Sequence, residues 1–154
     1  MALIIYTDGA SRGNPGRGGY GAILQWGSTK KELSGSYRLT TNNRMELLAI
    51  IKSLEALSRD GLDIQIFTDS EYVVNSVEKG WVFGWEKKGY AGKKNADLWR
   101  RFLQLYRKHQ IKINWVKGHA TNPYNNRCDQ LATAAADGGP HEIDKVYEEE
   151  YYAT

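Results

Sequence analysis

Alternating apolar and polar positions predict three strands in the first forty residues of the 154-residue chain. The strands run from Leu3 to Thr7, from Gly19 to Trp26 and roughly from Lys31 to Leu39. The last two are separated by Gly27-Ser28-Thr29, and a short turn of this composition is typical of a β-hairpin. We therefore expect the three strands to form an antiparallel meander.

After the third strand the hydrophobic period becomes helical. Apolar residues recur at intervals of three and four from Met45 to Leu57, which predicts an amphipathic helix from Asn43 to about Asp60-Gly61. The rest of the chain divides into a strand at Asp63 to Thr68, a short helix at about Ser70 to Val77, a helix at Asn95 to Lys108, a strand at Ile111 to Val116 and a helix at Asn126 to Ala136. Helical crossovers favour parallel pairing of strands 1, 4 and 5. The predicted fold class is α/β, a mixed five-stranded sheet flanked by helices.

Length and composition limit the class of protein. A chain of 17.5 kDa is one ordinary domain, which we place at residues 1–140, followed by an acidic and loosely ordered tail at 141–154. No apolar run approaches the ~20 residues of a membrane span, and the N-terminus lacks the layout of a signal peptide. The single cysteine, Cys128, excludes an internal disulfide framework. We expect a cytoplasmic protein.

Charge is unevenly distributed along the chain. Residues 79–108 hold nine basic residues against two acidic ones, a net charge of +7, together with Trp81, Trp85 and Trp99. A basic segment with interleaved aromatic residues indicates a polyanion with surfaces for stacking. The alternative is a solvated helical face backed by core tryptophans.

Four carboxylates stand where strands end or helices begin. The first and fourth strands end alike, in Thr7-Asp8-Gly9 and Thr68-Asp69-Ser70, and the carboxyl ends of parallel strands meet at one edge of a sheet. Glu46 and Asp129 each lie three residues after an asparagine at a predicted helix start. Taken singly, each has a structural explanation as a turn, cap or dipole partner. Together they form an acidic cluster that would need Mg²⁺ or Mn²⁺ for neutralisation, which indicates phosphodiester chemistry with two ions ~4 Å apart.

Two other motifs indicate different chemistry. Gly16 to Gly21 fits the dinucleotide pattern G-x-G-x-x-G, but the chain continues as a strand and offers no helix N-terminus for a pyrophosphate. Cys128 and His119 resemble a nucleophile and a base, but no orienting partner can be named. Cys128 is better explained as a small buried hydrophobe.

Read together, the motifs make the chain resemble the bacterial type 1 ribonuclease H family. The matching segments, in order, are Tyr6-Thr7-Asp8-Gly9, Gly13-Asn14-Pro15-Gly16, Thr40-Thr41-Asn42-Asn43-Arg44-Met45-Glu46-Leu47, Thr68-Asp69-Ser70, Asp97-Leu98-Trp99, Trp115-Val116-Lys117-Gly118-His119 and Arg127-Cys128-Asp129. The resemblance implies the ribonuclease H-like fold and an endonuclease that cuts the RNA strand of RNA/DNA hybrids irrespective of sequence, leaving 3′-hydroxyl and 5′-phosphate ends. It implies two Mg²⁺ ions per site, with Mn²⁺ as a substitute, and a monomer.

Residue roles follow from the same resemblance. Asp8, Glu46, Asp69 and Asp129 match the metal-binding carboxylates, with Asp8 bridging the two ions and Glu46 facing a ribose 2′-hydroxyl. His119 matches a histidine that assists proton transfer or product release. The matching substrate contacts are Gly9, Asn14, Thr41, Asn42, Asn43, Glu71, Trp81, Trp85, Lys87, Lys88 and Asn95.

Two departures from the family pattern affect substrate contacts. The basic protrusion from Lys87 to Lys94 is short and has Tyr90 where tryptophan is common, which predicts lower affinity for the hybrid. Glu71 stands where glutamine is common, and its carboxylate would repel the substrate or contact a base. Two alternative functions stay open, a hybrid-binding module without catalysis and a nuclease domain within a larger enzyme. All four carboxylates are present, which favours the nuclease.

Overall fold

The computed structural model describes residues 1–117 and 122–153, which form one five-stranded mixed sheet with helices packed on it. The strands are β1 (Leu3–Arg12), β2 (Gly16–Trp26), β3 (Thr29–Thr40), β4 (Asp63–Thr68) and β5 (Gln110–Trp115). The helices are α1 (Asn42–Glu55), α2 (Glu71–Glu78), α3 (Trp81–Lys87), α4 (Ala96–Tyr106), α5 (Pro123–Asp137) and α6 (Lys145–Tyr152).

The sheet has the strand order β3-β2-β1-β4-β5. β1 pairs antiparallel with β2 and parallel with β4, β2 pairs antiparallel with β3, and β4 pairs parallel with β5. The predicted α/β class and strand pairing are therefore confirmed. Alternate residues of β1 face the main core, where Leu3 and Ile5 are buried with the apolar face of α1. Within the described residues, no helix is long and apolar enough to cross a membrane.

Several predicted element limits differ from the structure. β1 extends to Arg12, because its residues beyond Thr7 keep pairing with β2 as far as Arg17. β2 includes the glycine-rich pattern from Gly16 to Gly21, so this pattern is a strand and not a phosphate loop. The helix α3 is absent from the sequence prediction.

The segment after Pro140 also differs from the expectation of a loosely ordered tail. It contains the helix α6, and it is attached to β3 by main-chain hydrogen bonds from Glu142 to the carbonyl of Ser36 and from Arg38 to the carbonyl of Glu142, both 2.9 Å long. Glu148 of α6 accepts hydrogen bonds from the guanidinium of Arg38. Local composition therefore suggested less order than these long-range contacts provide.

Candidate active site

The site begins at a close crossing between β1 and α1. An added Cβ at Gly9 would lie 2.5 Å from the carbonyl carbon of Met45, so only glycine permits this approach. The crossing brings Glu46 beside the carboxyl end of the buried part of β1. The backbone nitrogen of Gly9 donates to Asp8 Oδ1 at 2.9 Å and also to Glu46 Oε1.

Three of the predicted carboxylates meet at this edge of the sheet. Asp8, Glu46 and Asp69 each offer an oxygen, and these oxygens lie within 4.8 Å of one another. The parallel register pairs Tyr6 of β1 with Phe67 of β4, so the aspartate two residues further along each strand reaches the same edge. Asp8 and Glu46 are buried and Asp69 is half-buried.

Burial and mutual repulsion disfavour charge on this cluster. Burial raises the pKa of Asp8 to about 8, and the negative charges of Asp69 and Asp129 act in the same direction. Burial, followed by the charges of Asp8 and Asp69, raises the pKa of Glu46 well above its ordinary value. Oxygen donors held together against this cost form a candidate site for a hard divalent cation.

The local structural roles considered for these carboxylates belong to other residues. The N-cap of α1 is Thr41, whose hydroxyl accepts from the nitrogen of Arg44 at 3.3 Å, so Asn43 and Glu46 do not form the capping box that their spacing allows. The N-cap of α2 is Ser70, which accepts from the nitrogen of Val73, and not Asp69. β1 continues through Asp8 and Gly9, so they do not form a turn. The three carboxylates therefore do not serve as the caps or turn residues of their own elements.

Asp129 lies next to the cluster on α5. This helix begins at Pro123 with Asn122 as its N-cap, so Asp129 is in its second turn and not at its start. Its side chain is exposed, and its charge contributes to the raised pKa of Asp8. An added Cβ at Gly21 of β2 would lie 2.5 Å from the carbonyl oxygen of Cys128, so a second glycine permits the close approach that positions Asp129.

Cys128 is confirmed as a buried structural residue. Its thiol donates to the carbonyl of Tyr6 at 3.3 Å, and burial raises its pKa to about 12. A thiol in this state is a poor nucleophile. His119, the proposed proton-transfer residue, lies outside the described residues.

The predicted substrate contacts around the start of α1 lie together. Asn14, in the turn after β1, accepts from the backbone nitrogen of Asn42 at 3.0 Å. Asn14, Thr41 and Asn43 line one side of a cavity of about 520 Å³ that also includes Lys94. Hydroxyl, amide and ammonium donors on one wall suit an anionic ligand.

A neighbouring cavity of about 300 Å³ connects this wall to the basic segment, and Asn43, Trp85, Lys93 and Asn95 are among its lining residues. Asn95 adopts a left-handed backbone conformation at φ 67°. Its side chain donates to the hydroxyl of Tyr72 at 3.0 Å, which holds the amide in place. Lys93 lies over the ring of Trp85, with its ammonium 5.2 Å from the ring centroid.

The aromatic residues of the basic segment are divided between the core and the surface. Trp99 is fully buried in the core, whereas Trp81 is 48% exposed and Trp85 is half-buried. Lys87 and Lys88 are exposed at the end of α3. Two residues that depart from the family pattern have different environments. Tyr90 is buried beneath the guanidinium of Arg100. Glu71 is exposed in the first turn of α2, where the helix dipole favours a carboxylate.

The sequence did not indicate two residues, Tyr72 and Arg44, that hold neighbouring parts of the site in position through hydrogen bonds and ion pairs. Tyr72 bonds to both Asn95 and the indole of Trp99, and nothing in the local pattern indicates this role. Arg44 is 2% exposed and pairs with Asp97 and Asp144. The sequence gives no local signal for this role, because Arg44 follows Asn43 and stands two residues before Glu46 in a polar helix start.

Comparison with known proteins identifies the family. The RNase H family model matches residues 1–137. The Ribonuclease H of Desulforamulus reducens is 52% identical over 139 residues, a match that covers 87% of this chain and 87% of that protein. LC9-RNase H1, a type 1 RNase H with the type 2 active-site motif, is similar with a TM-score of 0.82 and 28% identity over 97% of this chain and 80% of that one.

A further solved structure, LC11-RNase H1 in complex with an RNA/DNA hybrid, is similar with a TM-score of 0.65 and 25% identity over 88% of this chain and 96% of that one. The mixed sheet and the carboxylate cluster at its edge therefore define an α/β fold of the ribonuclease H type. The chain belongs to the ribonuclease H family, whose members are generally divalent-metal-dependent endoribonucleases.

Proposed function

We propose that this protein hydrolyses the RNA strand of RNA/DNA hybrids irrespective of sequence, leaving 3′-hydroxyl and 5′-phosphate ends. The observation that carries the proposal is the cluster of Asp8, Glu46 and Asp69, whose oxygens lie within 4.8 Å of one another at the edge of the sheet. Family membership supports the same activity. The hybrid bound in the LC11-RNase H1 structure supports the substrate.

The donor set fits a divalent cation. Asp8, Glu46 and Asp69 supply only carboxylate oxygens, and Asp129 stands next to them on α5. We propose that these four side chains hold two Mg²⁺ ions, with Mn²⁺ as an alternative. Such ions supply an activated water and neutralise charge on the leaving oxygen. The close approach of β1 and α1 at Gly9 fixes Asp8 and Glu46 relative to each other, so these side chains need little rearrangement to bind a cation.

The remaining residues act on the substrate. We assign proton transfer or product release to His119 and contact with the ribose 2′-hydroxyl to Glu46, since that hydroxyl distinguishes RNA from DNA. The other proposed contacts with the hybrid are made by Gly9, Asn14, Thr41, Asn42, Asn43, Glu71, Trp81, Trp85, Lys87, Lys88 and Asn95. Contacts to phosphates and sugars fix register without reading sequence. The monomeric state and the cytoplasmic location stay predictions.

A duplex panel tests the function. Labelled RNA/DNA, RNA/RNA and DNA/DNA duplexes of one sequence are incubated with the protein in Mg²⁺, in Mn²⁺ and in chelator, and the products are resolved on denaturing gels. We expect cleavage of the RNA strand of the hybrid alone, and only with a divalent cation. Cleavage of RNA/RNA at the same rate, or cleavage in chelator, would refute the proposal.

Metal affinity is expected to rise with pH. The pKa of Asp8 is raised to about 8, so below that pH its carboxyl retains a proton that a cation must displace. Between pH 6 and 8 the affinity for Mn²⁺ should increase by up to about tenfold per pH unit for each proton displaced, and Glu46, whose pKa is also raised, adds to this dependence. Calorimetric titration in buffers of different ionisation enthalpy measures both the affinity and the protons released.

The control for this titration is Asp8→Asn, which removes the carboxyl whose proton is displaced. Its weaker residual binding should depend less steeply on pH than that of the parent. An affinity of the parent that is constant from pH 6 to 8 contradicts the proposed link between burial of the cluster and metal binding.

A further inference from the structure

The helix α6 forms part of the wall of the cavity that lies at the start of α1. Tyr147, Glu150 and Tyr151 line this cavity of about 520 Å³, opposite Thr41 and Lys94. Positions three and four residues apart share one face of a helix, so these three residues form a single surface of α6. The cavity is therefore enclosed by two elements that are more than one hundred residues apart in the chain.

The position of α6 is determined by several contacts with the body of the protein. Asp144, immediately before the helix, accepts from Thr40 Oγ1 and from the guanidinium of Arg44, both at 2.7 Å. Glu148 is buried and accepts from Arg38 at 2.8 Å. These contacts bring the face with Glu150 against the cavity.

The two walls differ in charge. The wall from α1 and its neighbours carries the amides of Asn14 and Asn43, the hydroxyl of Thr41 and the ammonium of Lys94, all of which can donate to a phosphate. The wall from α6 places the carboxylate of Glu150 in the same cavity. A backbone phosphate that enters this cavity is attracted by one wall and repelled by the other.

We propose that α6 is part of the substrate-binding surface and that Glu150 lowers affinity for the hybrid by repelling a backbone phosphate in this cavity. The inference rests on the proposed function and adds a residue that determines affinity. An exposed carboxylate that partly offsets Lys94 weakens binding to any polyanion, which favours release of the cleaved strand.

Lysine substitutions at neighbouring positions of α6 test the proposal. Glu150→Lys and Glu149→Lys change the net charge equally, but residue 149 is offset by about 100° around the helix from residue 150. Binding of a short fluorescent RNA/DNA hybrid is measured by anisotropy in chelator, over a range of salt concentrations. We expect Glu150→Lys to lower Kd about fivefold more than Glu149→Lys does at low salt. Its plot of log Kd against log salt should also steepen by about 0.9, the contribution of one phosphate contact.

Equal effects of the two lysine variants would overturn the proposal, since they would show a response to net charge alone. A parent protein that neither binds nor cleaves the hybrid would refute the proposed function instead, irrespective of residue 150. Cleavage in Mg²⁺ provides a second readout, in which Glu150→Lys should lower KM more than Glu149→Lys does. Thermal unfolding of both variants checks that α6 is retained.

Discussion

Replacing Asp8 by asparagine is expected to lower the rate of hybrid cleavage about a thousandfold or more. Asp8 lies within 4.8 Å of both Glu46 and Asp69 in the carboxylate cluster, and it is the only one of the three on the central strand. The amide keeps the shape of the side chain but loses the charge that holds a cation. The rate is measured with excess enzyme over a labelled hybrid in Mg²⁺.

The fold should survive this change. Because burial already disfavours the charged form of Asp8, its neutralisation should leave thermal stability in chelator unchanged or raise it. Asp63→Asn is the matched control, since Asp63 is exposed at the opposite end of β4 from Asp69. The control should cleave at the parent's rate. Cleavage by Asp8→Asn at more than a tenth of that rate would contradict the assignment.

The loss should not multiply in a double variant. Asp8 and Asp69 would act on the same bound ions, so removing either one disables the same step. We expect Asp8→Asn/Asp69→Asn to be close to the single variants in residual rate. Independent, multiplying losses would indicate that the two carboxylates serve different steps.

The sheet was predictable because its strands carry clear local signals. Alternation of apolar residues and the crossover rule were sufficient for the parallel and antiparallel strand pairing and for placing Asp8 and Asp69 at one edge. The predicted ends of the strands were less accurate, because β1 continues past Asp8-Gly9, although an Asp-Gly pair is typical of a turn. The continuation depends on pairing with β2, which no local pattern shows.

The missed helices have physical explanations of their own. α3 has seven residues and includes Gly84, so neither its length nor its propensity indicates a helix. α6 carries Glu148, Glu149 and Glu150 in succession, which is typical of a solvated tail. Its position depends on Arg38 and Arg44, which lie about one hundred residues earlier in the chain.

The carboxylate part of the site was predictable because Asp and Glu side chains at the edge of a sheet are suited to binding a divalent cation. Asp8, Glu46 and Asp69 come together as predicted, with oxygens within 4.8 Å of one another, whereas metal binding by these residues and by Asp129 stays a prediction. The supporting contacts were not predictable, because Tyr72 and Arg44 act through hydrogen bonds that exist only after the helices have packed. The N-cap of α1 was placed two residues too late, at Asn43 instead of Thr41, because both residue types are acceptable N-caps.

Arg44 of α1 links this helix to α4 through Asp97 and to the start of α6 through Asp144. Its guanidinium donates to Asp144 Oδ1 at 2.8 Å and to Asp97 Oδ2 at 2.7 Å, and it is 2% exposed. Burial alone would raise the pKa of Asp97, but the hydrogen bonds and charge of Arg44 outweigh it and hold that pKa below its ordinary value. Loss of the arginine would leave two carboxylates without their cation.

Arg44→Ala is therefore expected to lower the free energy of unfolding by about 3–5 kcal/mol, measured by urea denaturation at neutral pH. Arg12→Ala is the control, because Arg12 makes a similar two-pronged contact with Asp137, but both side chains are exposed to solvent, where such a pair contributes little to stability. Arg44→Lys should recover only part of the loss, since one ammonium cannot match two carboxylates in the fork geometry.

Because the pKa of Asp97 is depressed in the folded state, its share of the stability is present above its unfolded pKa of about 4 and is lost as the pH falls below it. The difference in free energy of unfolding between the parent and Arg44→Ala should therefore become smaller as the pH falls below about 4. Equal losses of unfolding free energy in Arg44→Ala and Arg12→Ala at neutral pH would show that the buried network does not hold the three helices together.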